Sequence, residues 1–296
     1  MKIGMTLPVT EPGWSRDILL QWCEKIDKGP FSSLALGERT CFPSPELIST
    51  LGACAVLTER VQLVTTVIVL PTHNPVILAK QLATVDVLSN GRLAIGVGTG
   101  GREEDYRASA TALSQKRITV MESHIETMKA VWAGENRAEG SLRPVEPFPL
   151  QQPHPQLLAG VMGPKGFASA ARWADGICGM SMTGETSEAE NSFAQIRRAW
   201  QDAGRADEPL LNTPFWFALG ESADRQLETH LERYFNWLDP QSRAGMVKAG
   251  GFRGTAQAFQ DRLKAFADIG TNELLLIPTS IDPEEVDRAA ELISGL

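Results

Sequence analysis

The chain is poor in the residues that disulfide and metal chemistry require. Its four cysteines, Cys23, Cys41, Cys54 and Cys178, are scattered with no C-x-x-C spacing, which argues against a disulfide framework or a zinc site. Four histidines, His73, His124, His154 and His230, show no H-E-x-x-H arrangement, so metal catalysis has little support. No apolar run reaches the length needed to span a membrane. Met1-Lys2-Ile3-Gly4 enters a strand pattern at once and leaves no room for a signal peptide, so a soluble, cytoplasmic protein is expected. Basic blocks are also missing: 28 Lys and Arg stand against 36 Asp and Glu, a net charge of −8. Nucleic acid requires clustered positive charge and is not an expected partner. A small anionic ligand stays open, because backbone amides bind anions without changing net charge.

What the chain does have is alternation. Apolar, β-rich runs at Lys2 to Leu7, Ser33 to Leu36, Val61 to Leu70, Arg92 to Val97, Gln156 to Val161, Gly176 to Met180, Pro214 to Leu219 and Glu273 to Ile277 are separated by helical patterns. Those patterns lie around Arg16 to Lys28, Pro45 to Thr58, Pro75 to Leu88, Gln115 to Trp132, Pro164 to Trp173, Glu188 to Ala203, Thr255 to Ile269 and Pro283 to Ile293. Eight strand–helix repeats match a closed (β/α)8 TIM barrel better than a doubly wound sheet, which more often stops near six. No linker divides residues 1–296, and one domain with two insertion loops, about 134–155 and 220–253, is expected. The second follows a strand's C-terminal end and is a candidate lid.

The densest signal is Asn90-Gly91-Arg92-Leu93-Ala94-Ile95-Gly96-Val97-Gly98-Thr99-Gly100-Gly101, a turn pair, a short strand and a cluster of glycines. Glycine lets a ligand approach the main chain. The spacing Gly96-x-Gly98-x-Gly100-Gly101 departs from G-x-G-x-x-G and falls on about the fourth strand, which argues against a dinucleotide-binding fold; a purely structural glycine turn is the competing reading. A second segment, Gly160-Val161-Met162-Gly163-Pro164-Lys165-Gly166, lies between a strand and a helix and offers free amides to a phosphate. It is not a P-loop. The strand ends carry glycine and apolar groups with few titratable ones, which suits a flat cofactor better than hydrolysis by paired carboxylates.

Several of these pieces, in order along the chain, resemble the luciferase-like flavin and deazaflavin oxidoreductases. They are Gly-Arg-Leu-x-x-Gly-x-Gly-x-Gly at 91 to 100 with Asp105-Tyr106 after it, His73-Asn74-Pro75, Arg117 and Glu122, and Gly163-Pro164-Lys165 leading to Ala174-Asp175-Gly176. The resemblance implies a (β/α)8 barrel, commonly a homodimer, that binds coenzyme F420 or reduced FMN at the strand C-termini. It places the cofactor against Thr66, Val67, Gly98, Thr99, Gly100, Gly101, Tyr106, Gly160, Met162, Gly163, Pro164, Lys165, Gly166 and Met180, with a bulged third strand and a non-prolyl cis peptide at Thr66-Val67. The Gly163-Pro164-Lys165 and Ala174-Asp175-Gly176 motifs look more like the deazaflavin branch, which transfers hydride to or from a small organic substrate. Reduced FMN, with a separate flavin reductase and monooxygenation, is the alternative, and a non-catalytic ligand-binding member is a third.

One departure bears on chemistry. Many relatives carry an acidic residue followed by His after the second strand, whereas this chain has Glu38-Arg39. Arg39 cannot release a proton at ordinary pH, so the histidine acid/base does not carry over to it. Arg39 is open to fixing an anionic substrate, to stabilising charge on a reduced ring, or to a plain ion pair. His73 is the other catalytic candidate; packing or capping beside the Asn74 N-cap is its structural reading. Glu103-Glu104-Asp105 reads as favourable charge in a first helical turn. Trp14, Phe42, Trp216 and Met180 suit either core or ring contact.

Overall fold

The β-rich runs pair in parallel. In the computed structural model, which describes residues 1–136, 140 and 142–295, the strands are β1 (Lys2–Thr6), β2 (Ser33–Leu36), β3 (Gln62–Thr65), β4 (Ile68–Val69), β5 (Leu93–Gly98), β6 (Gln156–Gly160), β7 (Gly176–Cys178), β8 (Leu210–Ala218), β9 (Phe252–Arg253) and β10 (Glu273–Pro278). Among the described residues the order β10-β1-β2-β3-β5-β6-β7-β8 closes on itself through β10 and β8. That is an eight-stranded parallel barrel, as the strand count implied. Residues 137–139 and 141, inside the excursion expected at 134–155, lie outside the described residues, as does Leu296.

Helices α1 (Arg16–Lys28), α2 (Leu47–Leu57), α3 (Pro75–Leu88), α4 (Glu103–Ala108), α5 (Arg117–Trp132), α6 (Pro164–Ala170), α7 (Thr186–Asp202), α8 (Ala223–Tyr234), α9 (Pro240–Ala249), α10 (Ala256–Asp268) and α11 (Glu284–Ser294) accompany the strands. Local chemistry sets several ends. Asn74 Oδ1 accepts from the Val76 and Ile77 amides at 3.0 and 3.1 Å and caps α3, with Pro75 at the first position. Asn90 and Gly91 both take positive φ, 57° and 76°, in the turn before β5.

Two packing layers follow from the geometry. Outward-facing strand residues meet the helices, while Ala35, Val64, Ala94, Leu158, Cys178 and Leu275 fill the barrel interior. Small Ala35 and Ala94 stand among larger neighbours in that interior cluster. Arg92, part of the glycine-rich motif, is structural: it donates to Ser89 O, Thr58 Oγ1, Val61 O, Ala55 O and Thr58 O at 2.6–3.0 Å. Asp175 accepts from the Leu157 amide at 2.8 Å, and Glu122 accepts from Ser169 and Arg172; both hold neighbouring units together.

Three expectations are corrected. The run Val61 to Leu70 is not one strand but β3, β4 and a 3-10 turn at Leu70–Thr72. Opposite Ile95 and Gly96 stand three residues, Thr65, Thr66 and Val67, which is a bulge. The Thr66–Val67 peptide is cis; Thr65 Oγ1 bridges the gap, accepting from Gly96 N and donating to Gly96 O, both at 2.8 Å. Second, 220–253 is not a loop: it holds α8, α9 and β9, because Ala223, Leu227, His230 and Leu231 repeat at helical spacing and bury one face, with Tyr234 half-buried beside them. Third, β7 ends at Cys178 rather than Met180, and β8 begins at Leu210 rather than Pro214.

Candidate active site

At the C-terminal end of the barrel, where such folds place their chemistry, a cavity of about 250 Å³ opens. Its floor is Val67 with Cys178 of the interior cluster. Its walls come from the residues after each strand: Leu7 and Val9 after β1, Gly37 to Arg39 after β2, Gly160 to Met162 at β6, Met180 and Met182 after β7, then Trp216 on β8, Tyr234 on α8 and Ile277 on β10. The surface is mostly apolar with a few polar groups, the usual make-up of a small-molecule site.

The bulge sets the shape. Val67 fits because its neighbours are glycines: a Cβ on Gly160 would stand 2.6 Å from Val67 Cγ1, and one on Gly98 would stand 2.9 Å from Val67 Cγ2. Both distances are shorter than carbon–carbon contact permits. Gly98 therefore supports the floor from beneath and does not line the cavity. This is how a glycine run on β5 serves a ligand site that it does not touch.

Glu38 and His73 face each other across this wall. His73 Nε2 lies 2.8 Å from Glu38 Oε1, and Glu38 Oε2 accepts from the Val69 amide at 2.7 Å. Whichever of the two groups carries the proton is the donor in this bond. Glu38 lines the cavity, whereas His73 lines a separate outer cleft with Asn74, Tyr106, Ser109, Thr111 and Arg117. Arg39, next along, is buried, with its guanidinium carbon 4.0 Å above the Phe42 ring and 5.3 Å from that of Tyr234.

Of the residues singled out in the sequence, Glu38, Arg39, Thr66, Val67, Gly160, Met162 and Met180 come together in the cavity wall. His73 reaches it only through Glu38. Thr99 is tied by its carbonyl to the Tyr106 hydroxyl, outside the cavity, and Gly100 packs against Val69. Gly101 is exposed; Gly163, at φ 84°, caps α6, with Pro164 and Lys165 exposed and Gly166 packed on Val161. Trp216 lines the cavity, Phe42 lies under Arg39, and Trp14 packs on the outer core. Asp105 is buried and accepts from the Cys41 amide at 2.6 Å, so the acidic triplet on α4 also braces the loop after β2.

Sequence reading missed the α8 contribution. His230 is buried, its Nδ1 2.5 Å from Glu11 Oε1, which Arg233 also contacts. Its ring stacks on Tyr234 at 5.8 Å and lies 6.0 Å from Trp216. Burial, the largest influence, pushes the imidazole below the ordinary histidine value, against the opposing pull of Glu11. The helical repeat of Leu227, His230, Leu231 and Tyr234 was the signal that could have found it.

The chain thus combines a parallel barrel, a bulged third strand and a glycine-backed cavity at the strand ends. The luciferase-like monooxygenase family model matches residues 1–292, and the chain belongs to that family. It spans 58% of the length of the first curated relatives it matches, uncharacterized mycobacterial proteins 32% identical over 55% of this chain. The oxygenase component of the flavin-dependent trigonelline monooxygenase of Acinetobacter baylyi is 28% identical over 53% of this chain and 46% of its own. An F420-dependent glucose-6-phosphate dehydrogenase of Amycolatopsis mediterranei is 26% identical over 81% of this chain and 80% of its own. Among solved structures, an F420-dependent secondary alcohol dehydrogenase in complex with an F420–acetone adduct shares the fold with a TM-score of 0.80, at 18% identity over 99% of each chain. The relatives with a named activity include both a flavin-dependent oxygenase component and an F420-dependent dehydrogenase.

Proposed function

We propose that the protein uses coenzyme F420 to move hydride to or from a small organic substrate. The observation that carries this is the reach of the similarity. The match to an F420-dependent dehydrogenase extends over 81% of the chain, against 53% for the flavin-dependent oxygenase. The residues present suit a flat ring. Gly160 and Gly37 let Val67 and the Thr66 backbone pack closely into the floor, a Cβ on Gly37 standing 2.7 Å from Thr66 O, and Met162 and Met180 offer polarizable flanks. Thr66, Val67, Gly160, Met162 and Met180 would hold the ring. Gly163 to Gly166, which follow Met162 directly in sequence, are the proposed contact for the anionic tail.

When bound, the cofactor supplies the hydride acceptor or donor; the chain's own task is the proton. Glu38 Oε1 is the proposed proton carrier on the cavity side. Its partner His73 relays the proton between Glu38 Oε1 and the outer cleft, taking it on one ring nitrogen and releasing it from the other, so a proton crosses the wall without opening the cavity. The apolar walls exclude water from the ring.

The flavin-dependent relative supports reduced FMN as the second reading, with a flavin reductase as partner. A homodimer is also proposed: Val56 on α2 and Ile77 and Leu88 on α3 are exposed apolar side chains on successive helices. Titrating the purified protein with F420, and separately with oxidised and reduced FMN, by fluorescence tests the assignment. Micromolar binding of F420 alone supports it, a preference for reduced FMN replaces it with the monooxygenase, and binding of neither removes both.

A further inference from the structure

Arg39 stands in the cavity wall with its donors almost unused. Its side chain is 5% exposed. Of the five N–H donors a guanidinium carries, one forms a hydrogen bond among the described residues, from Nη1 to the Tyr234 carbonyl at a long 3.5 Å. Nη2 is 3.6 Å from Glu104, a carboxylate 44% exposed to solvent, and Nε is buried without an acceptor. The other near carboxylate, Asp105, is engaged by the Cys41 amide at 2.6 Å. A buried cation in this condition is costly unless an anion meets it.

A second cation lies beside it. The Arg102 guanidinium carbon is 5.5 Å from the Tyr234 ring and 5.3 Å from that of Trp237, and its Nε is likewise buried without an acceptor. Burial first, then the Arg102 charge, holds Arg39 below the ordinary guanidinium value. Among the described residues Glu38 and Arg39 are the charged members of the lining, which otherwise combines apolar groups such as Leu7, Val67, Met180, Trp216 and Ile277 with hydroxyls from Thr6, Thr10, Ser44 and Thr66.

We infer that the cavity takes a substrate with an apolar body and one oxyanion head, a carboxylate or a group of like shape, received by the unused donors of Arg39 with the charge of Arg102 behind it. The planar guanidinium fork matches such a head in a bidentate manner. The inference rests on the proposed oxidoreductase only in treating the occupant as substrate; a phosphate of the cofactor is the other source of the same chemistry.

The experiment is a titration of the full chain without cofactor, using benzoate and its neutral isostere benzamide, followed by tryptophan fluorescence, with sulfate as a bare anion. Benzoate is expected to bind at least tenfold more tightly than benzamide. Arg39→Gln should abolish that preference, and Arg102→Gln, at a less buried position, should reduce it severalfold while the fold is retained. Equal binding of the two probes, a preference that survives both substitutions, or no response to either benzoate or sulfate overturns the inference. The titration is then repeated with F420 or FMN bound. Benzoate binding that persists assigns the anion to the substrate, and competitive loss assigns it to the cofactor and overturns the substrate assignment. If no cofactor binds, the proposed function fails while the cofactor-free result stands by itself.

Discussion

His73 Nε2 and Glu38 Oε1, 35 positions apart in sequence, meet at 2.8 Å and join the cavity to a cleft on the other side of its wall. Glu38→Gln keeps the shape but removes the proton carrier. With the cofactor established, kcat should fall by about 10²-fold or more, with little change in KM. His73→Asn, which removes only the outward step, should lower kcat less and alter the pH profile. An unchanged kcat in Glu38→Gln would rule the carboxylate out of proton transfer.

The floor of the cavity depends on the glycine opposite Val67. Gly160→Ala should destabilise the protein by about 1–3 kcal/mol through overpacking and weaken cofactor binding, because the added Cβ would stand 2.6 Å from Val67 Cγ1. Adding Val67→Ala should restore part of the stability, a coupling that urea unfolding of the double-mutant cycle measures. Additive effects would show that the two side chains do not collide.

Thiol reactivity reports burial around the site. Burial pushes the Cys178 thiol up to about 12, and the hydrogen bond with Cys23, reinforced by burial, raises that of Cys54. Cys41 is exposed. Alkylation of the native protein at pH 8, read by peptide mass spectrometry, should modify Cys41 and spare Cys23, Cys54 and Cys178. Rapid labelling of Cys178 would mean that the cavity floor opens.

Acid should act through His230. Its folded value is depressed, chiefly by burial, so its stabilising contribution is complete above the ordinary histidine value of about 6.5 and is lost as pH falls toward the lower folded value. Urea midpoints should therefore decline from pH 8 to pH 5. His230→Phe, which keeps a ring against Tyr234, should decline less steeply; parallel slopes would exclude His230 as a source of the pH dependence.

Much of the fold and part of the site were open to reading in the chain alone. Strand and helix periodicity, the Asn90-Gly91 turn and the Asn74-Pro75 cap act over a few residues; the turn and the cap are realised where the sequence puts them, and most of the periodic runs are. The glycine run on β5 also announced a close approach, but what approaches is Val67, one strand away. Helix α8 was hidden within an apparent loop because its buried face depends on Trp216 and Glu11, which are remote in sequence. Local rules thus determined most, though not all, of the strands, helices and turns. Only the tertiary structure decided that β10 closes on β8, that Glu38 meets His73, and that Arg39 lies under Tyr234, 195 positions away. Such meetings depend on barrel closure, which brings distant strand ends within hydrogen-bond range and which no short-range preference encodes.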